Sequence, residues 1–486
     1  MSPVVSVEKA CAAAQLAAPV LARMSPSQRA DLLVVLADAL DEARDRLVPI
    51  AMTESHLPQL RLSGEVGRAS GQLRLMAATI REGSYLGVVI DPADPTTTPP
   101  RPDLRRMQTP LGPVAVFAAS NFPFAFSVLG NDTASALAAG CSVVVKPNPG
   151  HPQLSATVMA VAQQALSGAG APSGMLTMID TDVQAGIDLV NDDRINAVAF
   201  TGSQQGGLAL AAIAAQRPRP VPFFGELGSI NPIIVTAAAL AERRDEIATG
   251  FIGSFTLGAG QFCTKPGVLI VPRDQELHDL LAAQLDEAAG QAMLTDAIQK
   301  AFVAGVTERM NIDAVEVIHV GHTDPDTREV TPTLLSVSAS HVSDHPALLD
   351  ECFGPMAMLV EYDTDDQLAQ LLDELPGVLA AGVQAQGDEP QLPRLLDRLA
   401  SLAGRVLFNE WPTGVAVTWA MQHGGPFPAS TRPDTTSVGS FAIDRFLRPV
   451  AWQSIPDALL PVALQEANPW KLPRRVDSFR SGDDGG

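Results

Sequence analysis

The sequence predicts an α/β protein with two successive parallel-sheet units and a small accessory β element. Three observations carry the prediction. Short apolar runs at Val114–Ala118, Ser142–Val145, Met175–Ile179 and Ala197–Phe200 alternate with helical stretches such as Asp132–Ala139 and Gln153–Leu166. Apolar strands separated by helices are what a parallel sheet covered on both faces requires. A second series of apolar runs begins at Asn231–Val235 and continues through Val268–Val271, Met358–Val360, Val378–Val383 and Arg405–Phe408. The chain has 486 residues, more than one core organises, so two or three domains are expected.

From the start, MSPVVSVEKACAAAQLAAPVLARMSPSQ lacks a basic segment followed by an apolar one, which argues against a secretory signal. Ser25-Pro26-Ser27-Gln28 has the form of a capping box, with proline at the first helical position. Leu32, Leu36, Leu40 and Leu47 follow at helical spacing, which predicts one amphipathic helix. Near residue 85 the texture changes to DPADPTTTPPRPDLRR, too rich in proline for a helix, and an exposed excursion or hairpin is expected. Met107 to Asn131 carries no charge, but Pro110, Gly112, Pro113, Pro123 and Gly130 break it. A buried strand plus a loop is expected there, not a membrane span. The polar residues from Lys471 to Gly486 read as a loose tail.

A formal net charge of −21 repels nucleic acid and anionic membranes, so neither is expected as a partner. The cysteines Cys11, Cys141, Cys263 and Cys352 are scattered and form no CxxC pair. That argues against a disulfide framework and a zinc cluster, and fits a reducing, cytoplasmic setting with no metal.

Three residues invite chemistry. Cys263 follows a Gly-rich turn, Leu257-Gly258-Ala259-Gly260-Gln261-Phe262, and precedes a strand. A loop can present a thiolate to a carbonyl, although a lone cysteine is more often a small buried hydrophobe. Glu226, in Phe223-Phe224-Gly225-Glu226-Leu227-Gly228, has apolar neighbours that would raise its pKa toward that of a general base; the alternative is a cap or a surface acid. Asn121 lies where a strand ends, and its amide could stabilise an oxyanion or simply close a turn.

Asn121-Phe122-Pro123, Val145-Lys146-Pro147, Phe200-Thr201-Gly202-Ser203, Glu226-Leu227-Gly228, Gly260-Gln261-Phe262-Cys263 and Glu351-Cys352-Phe353-Gly354-Pro355 occur in this order. Together they resemble the aldehyde dehydrogenase superfamily from about residue 5 to 470. The resemblance implies a Rossmann-like cofactor domain (1–86 and 113–227), an α/β catalytic domain (228–443) and an oligomerisation element (87–112 and 444–470). It implies that Cys263 is the nucleophile and that Asn121, with the backbone N–H of Cys263, forms the oxyanion hole. Glu226 would be the base that activates water. Lys146 would hold the adenine-side ribose, Gly202 and Ser203 would open a helix under the pyrophosphate, and Glu351 and Phe353 would flank the nicotinamide ribose. The implied reaction is oxidation of an aldehyde through a thioester. From the residues alone cofactor binding is a weak inference, because no GxGxxG follows a strand.

Ser229-Ile230-Asn231-Pro232 after the base motif, Pro149 three residues beyond Lys146, and Met421-Gln422-His423-Gly424-Gly425-Pro426-Phe427-Pro428-Ala429-Ser430 resemble the α-ketoglutaric semialdehyde (2,5-dioxovalerate) branch, with NADP-type fatty aldehyde dehydrogenases nearby. An acid at position 149 would repel a 2′-phosphate; proline does not, so NADP is expected to serve at least as well as NAD. His151 is expected as a turn histidine without a partner, with contact to that phosphate as the alternative. Phe124, Phe126, Trp411 and Phe427 are candidates for an apolar substrate tunnel or for ordinary core. Arg448-Pro449-Val450-Ala451-Trp452-Gln453 resembles a strand that pairs with a neighbouring subunit, implying a homodimer or homotetramer. A CoA-acylating relative, a cofactor-independent thiol hydrolase and a non-catalytic binding protein are the alternatives. The hydrolase would need a histidine beside Cys263, and none is near it in sequence.

Overall fold

A computed structural model describes residues 4–477, 479 and 480. The first sheet has the strand order Leu176–Met178, Val143–Lys146, Val114–Phe117, Ala197–Thr201 and Phe223–Glu226, all parallel. Val114 sits opposite Val143 on one side and Ala197 on the other. Every residue of Val114–Phe117 is buried, which is why this strand is uninterrupted by polar residues. The strands end together at Phe117, Lys146, Thr201 and Glu226, so the loops beyond them share one rim, where open α/β sheets bind ligands.

The predicted capping box opens the helix Pro26–Glu42: the Gln28 N–H donates to Ser25 Oγ at 3.2 Å, and the Ser25 N–H donates to Gln28 Oε1 at 2.9 Å. Leu32, Leu33, Leu36 and Leu40 are buried against the helices Gln59–Glu82 and Pro152–Gly168. Each such side chain contributes about 1.5–3 kcal/mol. Leu47 does not belong to this helix, contrary to expectation. The chain breaks at Ala43, and Leu47 lies in the next helix, Arg44–Ser55.

The second sheet has seven strands, ordered Val315–His319, Thr333–Ser338, Met356–Tyr362, Val268–Pro272, Ile233–Val235, Val378–Gln384 and Ala403–Phe408. Only the first pair is antiparallel. The third sheet contains the expected hairpin, Val88–Asp91 against Leu104–Pro110, with an isolated bridge between Asp94 and Arg101. Leu447–Gln453 adds to its outer side. The tail is a correction: Arg474–Val476 pairs in parallel with Val88–Asp91, and Phe479–Arg480 folds back on it. Positions 481–486 of that expected tail lie outside the described residues. Among the described residues no helix is long and apolar enough to cross a membrane.

Candidate active site

A cleft of about 730 Å³ lies between the rim of the first sheet and the loops of the second. Asn121, Gly202, Ser203, Glu226, Cys263, Glu351 and Phe353 all line it, so residues scattered over 230 positions meet in one space.

Cys263 is presented by a tight loop. Gly258, Ala259 and Gly260 take successive left-handed conformations (φ 59°, 55° and 63°). A Cβ at Gly260 would fall 2.2 Å from the Gly354 carbonyl oxygen, so only glycine lets this loop close on the Glu351–Pro355 segment. Lys265, buried two residues beyond the cysteine, fixes the same junction by donating to the carbonyls of Cys352, Gly354 and Met356 at 2.7–3.1 Å. Asn231 donates to the carbonyls of Cys263 and Lys265 at 2.8 and 2.9 Å. The Asn121 amide donates to the Gln261 carbonyl at 3.0 Å, which ties the first sheet's rim to the cysteine loop.

The Cys263 thiol is pushed up to about 12, by burial above all and then by the Glu351 carboxyl; Arg68 pulls it down and Glu226 pushes it up. His423 Nε2 stands 3.4 Å from Cys263 Sγ. Burial, then the positive charges of Arg405, Arg68 and Arg445, hold this imidazole down to about 3. Thiol and imidazole therefore face each other as neutral groups.

Glu226 ends its strand fully inside the protein. One carboxylate oxygen is paired with the buried Arg445 guanidinium; the other accepts from Ser430 Oγ at 2.8 Å. Arg445 also faces Asp132 at 3.4 Å. Burial raises the Glu226 carboxyl to about 7, while Arg445 and Ser430 restrain the rise. Two buried acids thus share one buried cation. Arg445→Met is expected to lower unfolding stability by about 3–5 kcal/mol, because both acids would be left buried without compensation. Urea denaturation followed by tryptophan fluorescence checks this, and a loss under about 1 kcal/mol would contradict it.

Gly228 explains its own place in the Glu-Leu-Gly motif: a Cβ there would lie 2.5 Å from Glu351 Oε2. The Glu351 carboxyl is raised to about 7 by burial, opposed by Lys265 and by the Ser229 backbone N–H. Ser203 caps the helix Gln204–Gln216, its Oγ accepting from the Gly206 N–H at 3.3 Å. Thr201, Gly202, Ser203, Gln204 and Gln205 line one arm of the cleft, where Thr201 Oγ1 is buried with no hydrogen-bond partner among the described residues. A helix N-terminus with an orphaned hydroxyl beside it fits an anionic group such as a pyrophosphate. Lys146 ends its strand, half-buried, and does not line the cleft; its stem packs near Gly186, where Asp182 and Asp180 are its nearby charges.

Several expectations need correction. His151 is neither partnerless nor free to meet a phosphate. It is buried, with Nδ1 at 3.0 Å from Ser155 Oγ and Nε2 at 3.0 Å from the Ala119 carbonyl. Of the four tunnel candidates, Phe126 lines the cleft and Phe124, Trp411 and Phe427 do not. Phe124 is buried in the first unit's core, Trp411 stacks near Phe251 at 5.9 Å, and Phe427 is 60% exposed. His423, Ser430 and Arg445 were missed as site residues. The first two lie in a motif already singled out, residues 421–430, and a buried arginine in Phe441-Ala442-Ile443-Asp444-Arg445-Phe446 has no sequence signal of its own.

Residues 3–431 match the aldehyde dehydrogenase family. The chain is 44% identical over 477 residues to α-ketoglutaric semialdehyde dehydrogenase 2 of Azospirillum brasilense, covering 97% of this chain and 91% of that one. It is 42% identical over 477 residues to α-ketoglutaric semialdehyde dehydrogenase of Acinetobacter baylyi, covering 97% and 90%. Among solved structures, a 1-pyrroline-5-carboxylate dehydrogenase from Thermus with bound NAD has the same fold, with a TM-score of 0.79, 21% identity, and 92% and 85% of the two chains covered. A 3,6-anhydro-L-galactose dehydrogenase in complex with NAP gives a TM-score of 0.78 at 22% identity, with 92% and 91% covered.

Proposed function

The chain belongs to the aldehyde dehydrogenase family, and from that membership we propose that it oxidises 2,5-dioxopentanoate (α-ketoglutaric semialdehyde) to the dicarboxylic acid. The observation that carries the chemistry is the convergence of Cys263, Asn121 and Glu226 on one cleft. The substrate reading rests on the two curated relatives above 40% identity over nearly the whole chain.

The steps follow from charge. Cys263 gives up its proton to solvent in the cleft as its sulfur adds to the aldehyde carbon, and the negative charge passes to the aldehyde oxygen. Asn121 Nδ2 and the Cys263 backbone N–H donate to that oxygen; losing one such donor typically costs about 3 kcal/mol. The nicotinamide cofactor supplies the hydride acceptor, and the helix start at Gly202–Ser203, with Glu351, Phe353 and Lys146, would hold it. Loss of hydride leaves a thioester on Cys263. Glu226, with a pKa of about 7, takes a proton from water, which attacks the thioester and releases the acid. His423 Nε2, 3.4 Å from the sulfur, orients the thiol rather than keeping its proton, because the imidazole is held to about 3.

NADP serves at least as well as NAD in this proposal, because exposed Pro149 offers no acid to repel a 2′-phosphate. The domain roles follow the family: residues 1–86 and 113–227 hold cofactor, 228–443 carry the nucleophile, and 87–112 with 444–470 assemble a homodimer or homotetramer. Among the described residues Leu447–Gln453 is an edge strand, paired on one side only, and a second subunit would cover it.

Steady-state kinetics with 2,5-dioxopentanoate, a short aliphatic aldehyde and a long-chain aldehyde, each with NAD and NADP, tests the reading. The semialdehyde acid is expected to give the highest kcat/KM, with NADP no worse than NAD. A long-chain aldehyde turned over about tenfold better would make this a fatty aldehyde dehydrogenase instead, and a more than tenfold preference for NAD would sink the cofactor assignment. The Cys263–His423 contact favours a second reading, thiol-dependent ester hydrolysis. An imidazole held to about 3 is a weak base for that work, and ester turnover without cofactor, lacking any aldehyde oxidation, would support it.

A further inference from the structure

A semialdehyde acid carries a carboxylate at the end remote from the reacting carbon, and a cleft that prefers it must answer that charge. Among the described residues, the cations close to the thiol are largely committed. Arg445 pairs with Glu226 and Asp132. Lys265 gives its ammonium to three carbonyls. Arg405 turns its two terminal nitrogens to the carbonyls of Gly414 and Pro412. Arg61 gives one terminal nitrogen to the Asn121 carbonyl at 2.8 Å and is held over the Phe262 and Phe122 rings, with its other terminal nitrogen buried and unpaired among the described residues.

Arg68 is different. It stands behind the cleft's aromatic lining rather than in it: it projects from the helix Gln59–Glu82, and its guanidinium carbon lies 5.4 Å from the Phe122 ring centre and 5.8 Å from that of Phe126. Both rings line the cleft, and Phe126 is 6.3 Å from the His423 ring, which touches the thiol. No hydrogen bond or ion pair among the described residues engages the Arg68 guanidinium, and its Nε is buried without a partner. The acid whose charge acts most on Arg68 is Glu65, which gives one oxygen to the N–H groups of Phe124 and Ala125 at 2.8 and 3.0 Å; its other oxygen is buried without a hydrogen bond, and among the described residues it forms no ion pair with Arg68. A desolvated guanidinium stacked on aromatic faces with its donors unspent is suited to a carboxylate, which it can grip with two parallel N–H bonds.

We propose that Arg68 is the specificity-determining residue that receives the far carboxylate of the substrate, an inference that rests on the semialdehyde reading above. Phe122 and Phe126 hold the fork in place by stacking, and the aldehyde end then reaches Cys263 from the same side.

The test compares 2,5-dioxopentanoate with pentanal, which has the same chain length and no carboxylate. Arg68 also acts on the thiol through its charge, so the readout is the ratio of the two kcat/KM values within each protein. Wild type is expected to favour the acid. Arg68→Met is expected to lower that ratio by at least about tenfold, through KM of the acid, and Arg68→Lys to restore part of it. Glutarate, with the carboxylates but no aldehyde, is expected to lose competitive inhibition in parallel. A ratio kept within about twofold in Arg68→Met, or a variant inactive on both aldehydes, overturns the assignment of Arg68 and leaves the semialdehyde reading standing. A wild-type enzyme with no preference for the acid overturns the semialdehyde reading itself.

Discussion

Cys263→Ala is expected to lower kcat/KM for aldehyde oxidation by about 10⁴-fold, because the covalent route disappears with its sulfur. The expectation comes from position. Cys263 reaches the cleft between Asn121 and Glu226, whereas Cys11 and Cys141 do not line it, and Cys352, which does, is buried beside Phe302 and Met356 and gives its Sγ to the Phe302 carbonyl. Alanine fits the same loop, so cofactor binding measured by fluorescence titration should survive. Steady-state NADPH formation checks the loss. A variant within about tenfold of wild type would mean that hydride leaves an aldehyde hydrate rather than a thiohemiacetal.

Glu226→Gln is expected to cut steady-state turnover by about 10²–10³-fold while leaving one rapid equivalent of NADPH per site. The glutamine keeps the shape that Ser430 and Arg445 hold but cannot take a proton from water. The same logic sets the pH dependence. The Glu226 carboxyl is raised to about 7, so wild-type hydrolysis falls as pH drops through about 7, where the base becomes protonated. In the variant that limb disappears. Stopped-flow absorbance of NADPH across pH 5.5–8.5, a range chosen to bracket that value, reads both effects. Loss of the burst together with turnover would place Glu226 before hydride transfer, not after it.

How much of this was visible in the sequence depends on what each feature advertises. Parallel strands buried on both faces must be apolar, so Val114–Phe117 and Val143–Lys146 announce themselves, as does a helix with a reciprocal cap at Ser25 and Gln28. Arg474–Val476 does not: it joins its sheet through backbone hydrogen bonds, and two adjacent arginines read as polar tail. The helix break at Ala43 carries neither glycine nor proline, so the leucine spacing ran straight through it to Leu47.

The site follows the same division. Cys263, Glu226 and Asn121 sit in motifs whose order along the chain is itself informative. Their supports are long-range pairs: Arg445 with Glu226 across 219 positions, His423 with Cys263 across 160, His151 with the Ala119 carbonyl across 32. No local pattern reveals such a pair before the fold brings it together. Aromatic identity was equally silent about direction, since Phe124 and Phe126 are two residues apart and only the second faces the cleft.

Peptide mass mapping is the most direct measurement. Glu226→Gln would be mixed with 2,5-dioxopentanoate and NADP, quenched in acid within the burst and digested. An acyl adduct near one per chain on the peptide containing Cys263 is the predicted result. NADPH released in the burst with that peptide unmodified, or with the acyl group on another residue, would contradict a thioester at Cys263.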